Sequence, residues 1–371
     1  MTQDESFQVV PTKTLPSLTG LRFLAALAVF GTHSFWRIAD GPANTALSLI
    51  FTQGFAGVSF FFVLSGFILV WSRRDSDTPR AFYRRRVARI VPTYFLALVL
   101  SVAWSVLVKP ERAGQAIIES LPSFAALQAW IPVEDIYLGG NLPGWSLSAE
   151  AFFYLLFPAL IVLMATARRR WMVGAVAVTL IVVVPIVLYP VEKHSVDYWI
   201  LYVLPAQRLA EFALGMILAI LMRRGWRFPI PLWFAVVVAG VAYLLMPHVP
   251  HAFNLVLVMA LPFLMLVGAV AQSDLDGRRS VLATPVMVRL GEWSYAFYLF
   301  HYLVLGVVFT AFAGVFAESM TVNPALGIGA MLVALLVTVA VSAGVYRLYE
   351  RPLEKRIRGQ LSKNTVDSQK F

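Results

Sequence analysis

Residues 54–71 read GFAGVSFFFVLSGFILVW, eighteen residues without a charge, and Ser72, Arg73 and Arg74 follow them directly. An α-helix needs a run of about 17–25 apolar residues to cross the hydrocarbon core of a bilayer. Basic residues directly after such a run anchor its end among lipid headgroups. This stretch therefore predicts a transmembrane helix.

Similar apolar runs recur along the whole chain of 371 residues, which is 59% hydrophobic and 13% charged. Soluble domains average roughly 45–50% apolar and 25% charged residues. The fold predicted is all-α, a polytopic membrane bundle of about ten transmembrane helices. The predicted spans are 18–36, 54–71, 91–108, 143–166, 171–189, 201–221, 231–246, 253–271, 293–313 and 324–346.

No long polar block separates these spans, so the sequence predicts one membrane domain over residues 18–358. Residues 1–17 are predicted to be a cytoplasmic N-terminal segment. The first span follows them without a small-residue cleavage site, which is typical of a retained signal anchor. Residues 359–371 are polar and are predicted to form a disordered cytoplasmic tail.

The basic residues predict the orientation of the chain. Ten spans place both termini on one side, and 24 of the 30 Lys and Arg residues then fall on that side, against 4 on the other. Basic loops face the cytoplasm, so we predict a multi-pass protein of the cell membrane with both termini cytoplasmic. This placement also explains the net charge of +10, so no nucleic-acid partner is predicted. The longest outer loop, 109–142, either covers a site or folds on the surface.

Cysteine is absent from the sequence. Disulfides, cysteine nucleophiles, cysteine-ligated metals and a cysteine-bound acyl intermediate are therefore excluded. No metal site is predicted, and composition leaves the oligomeric state open.

Ionisable side chains within spans are costly and mark candidate functional sites. Arg22 and His33 lie eleven residues apart in the first span, so both project from one helix face with an axial offset of about 16 Å. Glu150 is expected at a depth similar to that of His33, where a carboxylate orients an imidazole acting as a general base. The alternative interpretation is a packed histidine and a snorkelling arginine.

Arg86 and Arg89 share a helix face at the cytoplasmic start of the third span. Their guanidinium groups suit bidentate binding of phosphate, although for an isolated basic run a stop-transfer and lipid-headgroup anchor is the favoured interpretation. Arg208 and Glu211, three residues apart, predict a structural ion pair within one helix. His301 is either a packed core histidine or a substrate contact.

Taken together, these residues resemble acyltransferase family 3, the integral membrane acyl-CoA-dependent O-acyltransferases. The resemblance covers most of the chain, and its elements occur in the order of the family. Where this chain has Ala151, the family often has a second acid. The elements are Arg22 with His33, FFFVLSGF at 60–67, Arg86 with Arg89, WSLSAE at 145–150, Ser294-Tyr295 to His301, and YERP at 349–352.

The resemblance implies acyl-CoA as donor and co-substrate, no bound cofactor, and a hydroxyl acceptor on a glycan or a small molecule. The sequence LPSLTGLRF at 15–23 resembles the corresponding segment of single-domain enzymes that acylate macrolides. We therefore hypothesise that an acetyl or other short acyl group is transferred in a ternary complex. In that complex Arg86 and Arg89 bind the nucleotide end of acyl-CoA and its pantetheine arm passes Arg22.

In the same hypothesis His33 is the general base and Glu150 orients it, while Tyr295, Tyr298 and His301 contact the acceptor. A secondary transporter for a sugar or lipid intermediate explains the span count equally well, with the buried charges coupling protons. It leaves the basic pair in register with an intramembrane histidine unexplained. A non-catalytic membrane scaffold is the third alternative, and it predicts that Arg22 and His33 are dispensable.

Overall fold

The structure is a computed structural model that describes residues 14–38, 40–74, 77–316 and 323–356, and these residues are helices and connecting turns. The segment 1–17 therefore lies mostly, and the predicted tail 359–371 entirely, outside the described residues. In chain order the helices are α1 (Pro16–Phe35), α2 (Pro42–Phe51), α3 (Gly57–Trp71), α4 (Pro79–Val108), α5 (Ala113–Phe124), α6 (Glu134–Tyr137), α7 (Trp145–Leu163), α8 (Ala167–Val187), α9 (Val196–Tyr198), α10 (Pro205–Arg223), α11 (Leu232–Leu245), α12 (His251–Asn254), α13 (Leu257–Leu275), α14 (Pro285–Phe316) and α15 (Pro324–Val345).

Nine helical stretches of the described chain are long and apolar enough to cross a membrane. A tenth stretch, Leu232–His248, is apolar but shorter. The predicted all-α polytopic bundle is thus confirmed, and the short stretch corresponds to the predicted span 231–246. The chain folds into two compact units: the first takes its described residues from Met1–Arg22, Ala56–Asp75 and Leu156–Val288, and the second from Phe23–Phe55, Ser76–Leu155 and Arg289–Phe371.

In the first unit α3 and α10 approach each other backbone to backbone. A Cβ atom placed on Gly66 would overlap the carbonyl oxygen of Phe212, and one placed on Gly215 would overlap that of Val63. Small residues permit such close helix contacts in membranes, where dispersion rather than water expulsion drives helix association. The two glycines therefore set the spacing of this helix pair.

Helix α10 also carries a buried ion pair. Arg208 Nη2 is 3.0 Å from Glu211 Oε2, and both side chains are fully buried. The guanidinium also donates a 2.9 Å hydrogen bond to Ser59 Oγ and lies over the ring of Phe62, 5.0 Å from its centroid. The predicted intrahelical pair is confirmed, and it joins α10 to α3.

In the second unit, neighbouring helices run either parallel or antiparallel to α14. Helix α4 is parallel to it, because Ile90 contacts Tyr295 and Trp104 lies beside Gly306. Helix α1 is parallel as well, since contacts progress from Phe23 with Phe297 to Arg37 with Phe309. Helix α15 runs the opposite way, as shown by the pairs Trp293–Arg347 and Phe312–Gly329. Helix α7 is antiparallel to α4, because Tyr83 contacts Leu155 and Tyr94 lies beside Gly144, and it is therefore antiparallel to α14 as well.

The loop 109–141 contains helices α5 and α6 and packs onto the second unit. Tyr94 Oη donates a 2.7 Å hydrogen bond to the Ser123 carbonyl, and Ser148 Oγ donates a 2.6 Å bond to the Ala126 carbonyl. Burial raises the pKa of Tyr137 to about 12, and the nearby carboxylates of Glu134 and Asp135 act in the same direction. The loop is therefore an ordered part of this unit.

Candidate functional site

The second unit brings together two histidines that are 268 residues apart in the sequence. His33 lies near the end of α1, and its Nδ1 atom is 2.8 Å from Nε2 of His301 in the middle of α14. The Nδ1 atom of His301 is in turn 2.6 Å from the carbonyl oxygen of Tyr298, one turn earlier in the same helix. A buried backbone carbonyl and two imidazoles thus form one hydrogen-bonded chain.

Aromatic packing holds this chain in place. The two imidazole rings stack with centroids 5.1 Å apart and an interplanar angle of 19°. Phe297 stacks on His301 at 6.4 Å, and Tyr302 meets His33 edge-on at 5.5 Å. His301 is fully buried, whereas His33 remains partly exposed. Of the two histidines, His33 is thus the more accessible.

Polar side chains at the start of α7 support the same stretch of α14. Ser146 Oγ and Tyr298 Oη share a 2.8 Å hydrogen bond, and Asn141 Nδ2 donates a 3.1 Å bond to the Leu299 carbonyl. Tyr298, which was predicted to contact substrate, thus joins α14 to α7. Asn141 was not singled out from the sequence, because an asparagine in a Gly-Gly-Asn turn has no pattern that distinguishes it from a loop residue.

The predicted phosphate-binding residues lie on α4 in this unit. Arg86 is mostly buried, its guanidinium lies 5.7 Å from the ring centroid of Phe82, and its Nε atom has no hydrogen-bond partner among the described residues. Arg89 lies close enough to interact electrostatically with Arg86 and Tyr346. Neighbouring Arg85 instead forms a 2.8 Å ion pair with Asp77. Arg86 and Arg89 thus remain the candidates for binding an anion here.

Glu150 belongs to the Arg86 end of the site. Its carboxylate lies in electrostatic range of Arg86 and of Tyr295, whose hydroxyl donates a 2.9 Å hydrogen bond to the Ile90 carbonyl. Tyr295 precedes His301 by six residues on α14, or about 9 Å along the axis. The orientation of His33 by Glu150 stays a prediction, and the hydrogen-bond partner that the structure gives His33 is His301.

The same helix spacing gives the length of the site. Arg86 precedes Ile90 by one turn on α4, and Ile90 is level with Tyr295 on the parallel helix α14. The guanidinium end is therefore about 15 Å from the imidazole pair along the helix axes. Both ends lie within one compact unit.

Arg22 lies in the first unit, on the same continuous helix α1 as His33, and is partly buried. Its contact with a donor stays a prediction. Arg37, which the sequence indicated only as an outer loop charge, lies over the ring of Tyr302, 5.4 Å from its centroid. Within the described ranges, no cluster of three or more acidic or histidine side chains is arranged to hold a metal ion.

Comparisons with known proteins agree with this arrangement of motifs. The model of acyltransferase family 3, described as "Acyltransferase domain", matches residues 15–347. The chain is similar to "Acyltransferase MdmB" of Streptomyces mycarofaciens, with 37% identity over 354 residues and 91% of each chain covered. It is also similar to "Exopolysaccharide production protein ExoZ" of Rhizobium meliloti, with 30% identity over 84% of this chain and 92% of that protein.

A shorter similarity, 31% identity over 161 residues, relates 40% of this chain to 24% of "Peptidoglycan O-acetyltransferase OatA" of Listeria monocytogenes. No solved structure matches the chain at a significant level.

Proposed function

This chain belongs to acyltransferase family 3, and from that premise we propose that it transfers a short acyl group, such as acetyl, from acyl-CoA to a hydroxyl group of a glycan or a glycosylated small molecule such as a macrolide. Acyl-CoA acts as a co-substrate and no bound cofactor takes part. The protein lies in the cell membrane with both termini in the cytoplasm, the side to which the basic segments belong.

One observation carries this proposal: a partly exposed imidazole and a pair of arginines occupy one compact unit about 15 Å apart along parallel helices. Arginine binds phosphate bidentately, so Arg86 and Arg89 bind the nucleotide end of the donor. The spacing is comparable to an extended pantetheine arm, which supports a thioester position beside His33. Arg22 is proposed as a further donor contact, and Tyr295 and Tyr298 are proposed on the acceptor side, with His301 behind His33.

The reaction uses one proton and returns it. The imidazole of His33 takes the proton of the acceptor hydroxyl while the oxygen attacks the thioester carbonyl, forming the carbon–oxygen bond of the ester. The carbon–sulfur bond then breaks, and the CoA thiolate leaves with the proton from the imidazolium. A positioned general base contributes about 10²–10⁴-fold to such a step. Glu150 acts in this scheme from the donor end, by holding Arg86.

The absence of cysteine makes the test direct, because the protein contributes no thiol to a colorimetric assay of free CoA. Purified protein in bilayer nanodiscs is mixed with acetyl-CoA and one acceptor at a time, either a macrolide or a methyl hexoside. We expect thiol release that depends on the acceptor, with a gain of one acetyl group in the mass of the acceptor.

The His33→Ala variant is expected to lose at least about 10²-fold in turnover, and His248→Ala, an exposed histidine, serves as the matched control. In closed proteoliposomes, a wild-type protein that moves a labelled sugar across the bilayer without releasing CoA would instead be a transporter. Normal turnover by His33→Ala would remove His33 from the chemistry.

A further inference from the structure

The hydrogen-bonded chain from Tyr298 through His301 to His33 has a fixed direction. A carbonyl oxygen only accepts hydrogen bonds, so the 2.6 Å contact requires a hydrogen on His301 Nδ1. A neutral His301 then presents a lone pair at Nε2. The 2.8 Å contact in turn requires a hydrogen on His33 Nδ1, which leaves the lone pair of a neutral His33 at Nε2.

The contact between the two imidazoles excludes one state: two doubly protonated rings would point hydrogens at each other. A neutral His301 accepts from His33 Nδ1 both before and after His33 takes a proton at Nε2. The surroundings add no carboxylate to the described contacts of the pair. Phe30 and Phe297 flank His301, Tyr302 meets His33, and the charged side chain of Arg37 lies in electrostatic range of His33.

We infer that His301 is a positioning residue that holds His33 in the tautomer with hydrogen on Nδ1, so that Nε2 is free to take a proton from the acceptor hydroxyl. The inference rests on the proposed acyl transfer and extends it. The carbonyl of Tyr298 sets the direction of these hydrogen bonds. The Ser146–Tyr298 and Asn141–Leu299 hydrogen bonds hold that part of α14 in place. His301 thus fills the orienting role that the sequence assigned to Glu150, and it does so without a charge.

Two substitutions separate positioning from packing. In His301→Gln the side-chain amide oxygen replaces Nε2 as acceptor for His33, whereas His301→Leu keeps apolar volume and removes the acceptor. We expect His301→Leu to lose at least about 10²-fold in kcat, with the KM values for acetyl-CoA and acceptor within about twofold of wild type. His301→Gln should recover most of that loss, and His248→Gln should match the wild type. Equal kcat for the Leu variant and the wild type would overturn the inference, as would equal losses for Gln and Leu.

A spectroscopic measurement tests the tautomer without turnover. Protein carrying ¹⁵N-histidine in lipid bilayers gives five histidine ring systems in magic-angle-spinning NMR, and the His33→Ala variant identifies the signals of His33. We expect a protonated Nδ1 and an unprotonated Nε2 on His33 in the wild type, and a shift toward protonated Nε2 in His301→Leu. A protonated Nε2 in the wild type would overturn the inference even if the enzyme is active. Failure of the proposed function would appear differently, as no CoA release by the wild type.

Discussion

Replacing Glu211 by glutamine leaves the Arg208 guanidinium buried without its carboxylate. The two groups are 3.0 Å apart and fully buried, and removing one partner of such a pair costs about 3–5 kcal/mol, because an uncompensated charge remains in a medium of low dielectric constant. The Ser59 hydrogen bond and the Phe62 ring stay in place, so the whole loss reports the carboxylate. We expect the free energy of unfolding of Glu211→Gln to fall by that amount.

A double-mutant cycle gives the coupling between the two side chains. Arg208→Met should be destabilising by a similar amount, and the double variant should lose less than the sum of the two single losses by at least about 2 kcal/mol. The assay is unfolding by SDS in mixed micelles, followed by tryptophan fluorescence. The surface pair Arg227–Asp276, with Arg227 76% exposed, supplies the control: Arg227→Gln should change stability by less than about 1 kcal/mol. A loss below about 1 kcal/mol for Glu211→Gln, or strictly additive single losses, would refute the reasoning.

Gly215→Ala should destabilise the protein by about 1–3 kcal/mol, since the added methyl overlaps a carbonyl of α3. Gly240→Ala is the control, because a methyl at that position has no neighbour within 4 Å. The same SDS titration compares the two variants, and equal stabilities would contradict the close contact. Arg86→Lys should raise the KM for acetyl-CoA about tenfold or more with little change in melting temperature, because a point charge does not reproduce a guanidinium fork. Arg80→Lys, at an exposed position, is the control, and an unaltered KM for acetyl-CoA in Arg86→Lys would argue against a phosphate contact. The pKa of Tyr137 is about 12 in the folded protein and about 10 in the unfolded chain, so this residue should contribute a loss of stability as pH rises from 10 to 12. Tyr137→Phe should therefore unfold less readily than the wild type in that pH range. Identical alkaline unfolding curves would contradict this prediction.

Much of the fold follows from local signals in the sequence. Apolar runs such as 54–71 predict spans because the bilayer imposes one length on every crossing helix. The pair Arg208 and Glu211 was predictable from its three-residue spacing. The family resemblance read from ordered motifs is confirmed across residues 15–347.

Helix starts were harder to predict. Hydropathy placed the third span at 91–108, but α4 begins at Pro79, because Thr78 Oγ1 accepts a 3.2 Å hydrogen bond from the Ala81 amide and the basic turns continue the helix beyond the apolar part. Hydropathy reports where a helix is apolar and gives no signal for where its backbone hydrogen bonds begin.

The contact between His33 and His301 joins two helices 268 residues apart, and no local spacing encodes such a pairing. The sequence therefore assigned the orienting role to a carboxylate within a motif, Glu150, which lies in electrostatic range of Arg86. His33 and His301 were both recognised as candidates, but the partner of each depends on which helices are neighbours and in which direction those helices run.

The short helix α11 has a consequence for the lipids around it. Its 14 residues extend about 21 Å, against a hydrocarbon core of about 30 Å, and Trp233 near its start is 67% exposed. A helix shorter than the bilayer is accommodated by local thinning and by interfacial aromatic anchors. We therefore expect the bilayer to thin locally around this helix, where lipids with short acyl chains fit best.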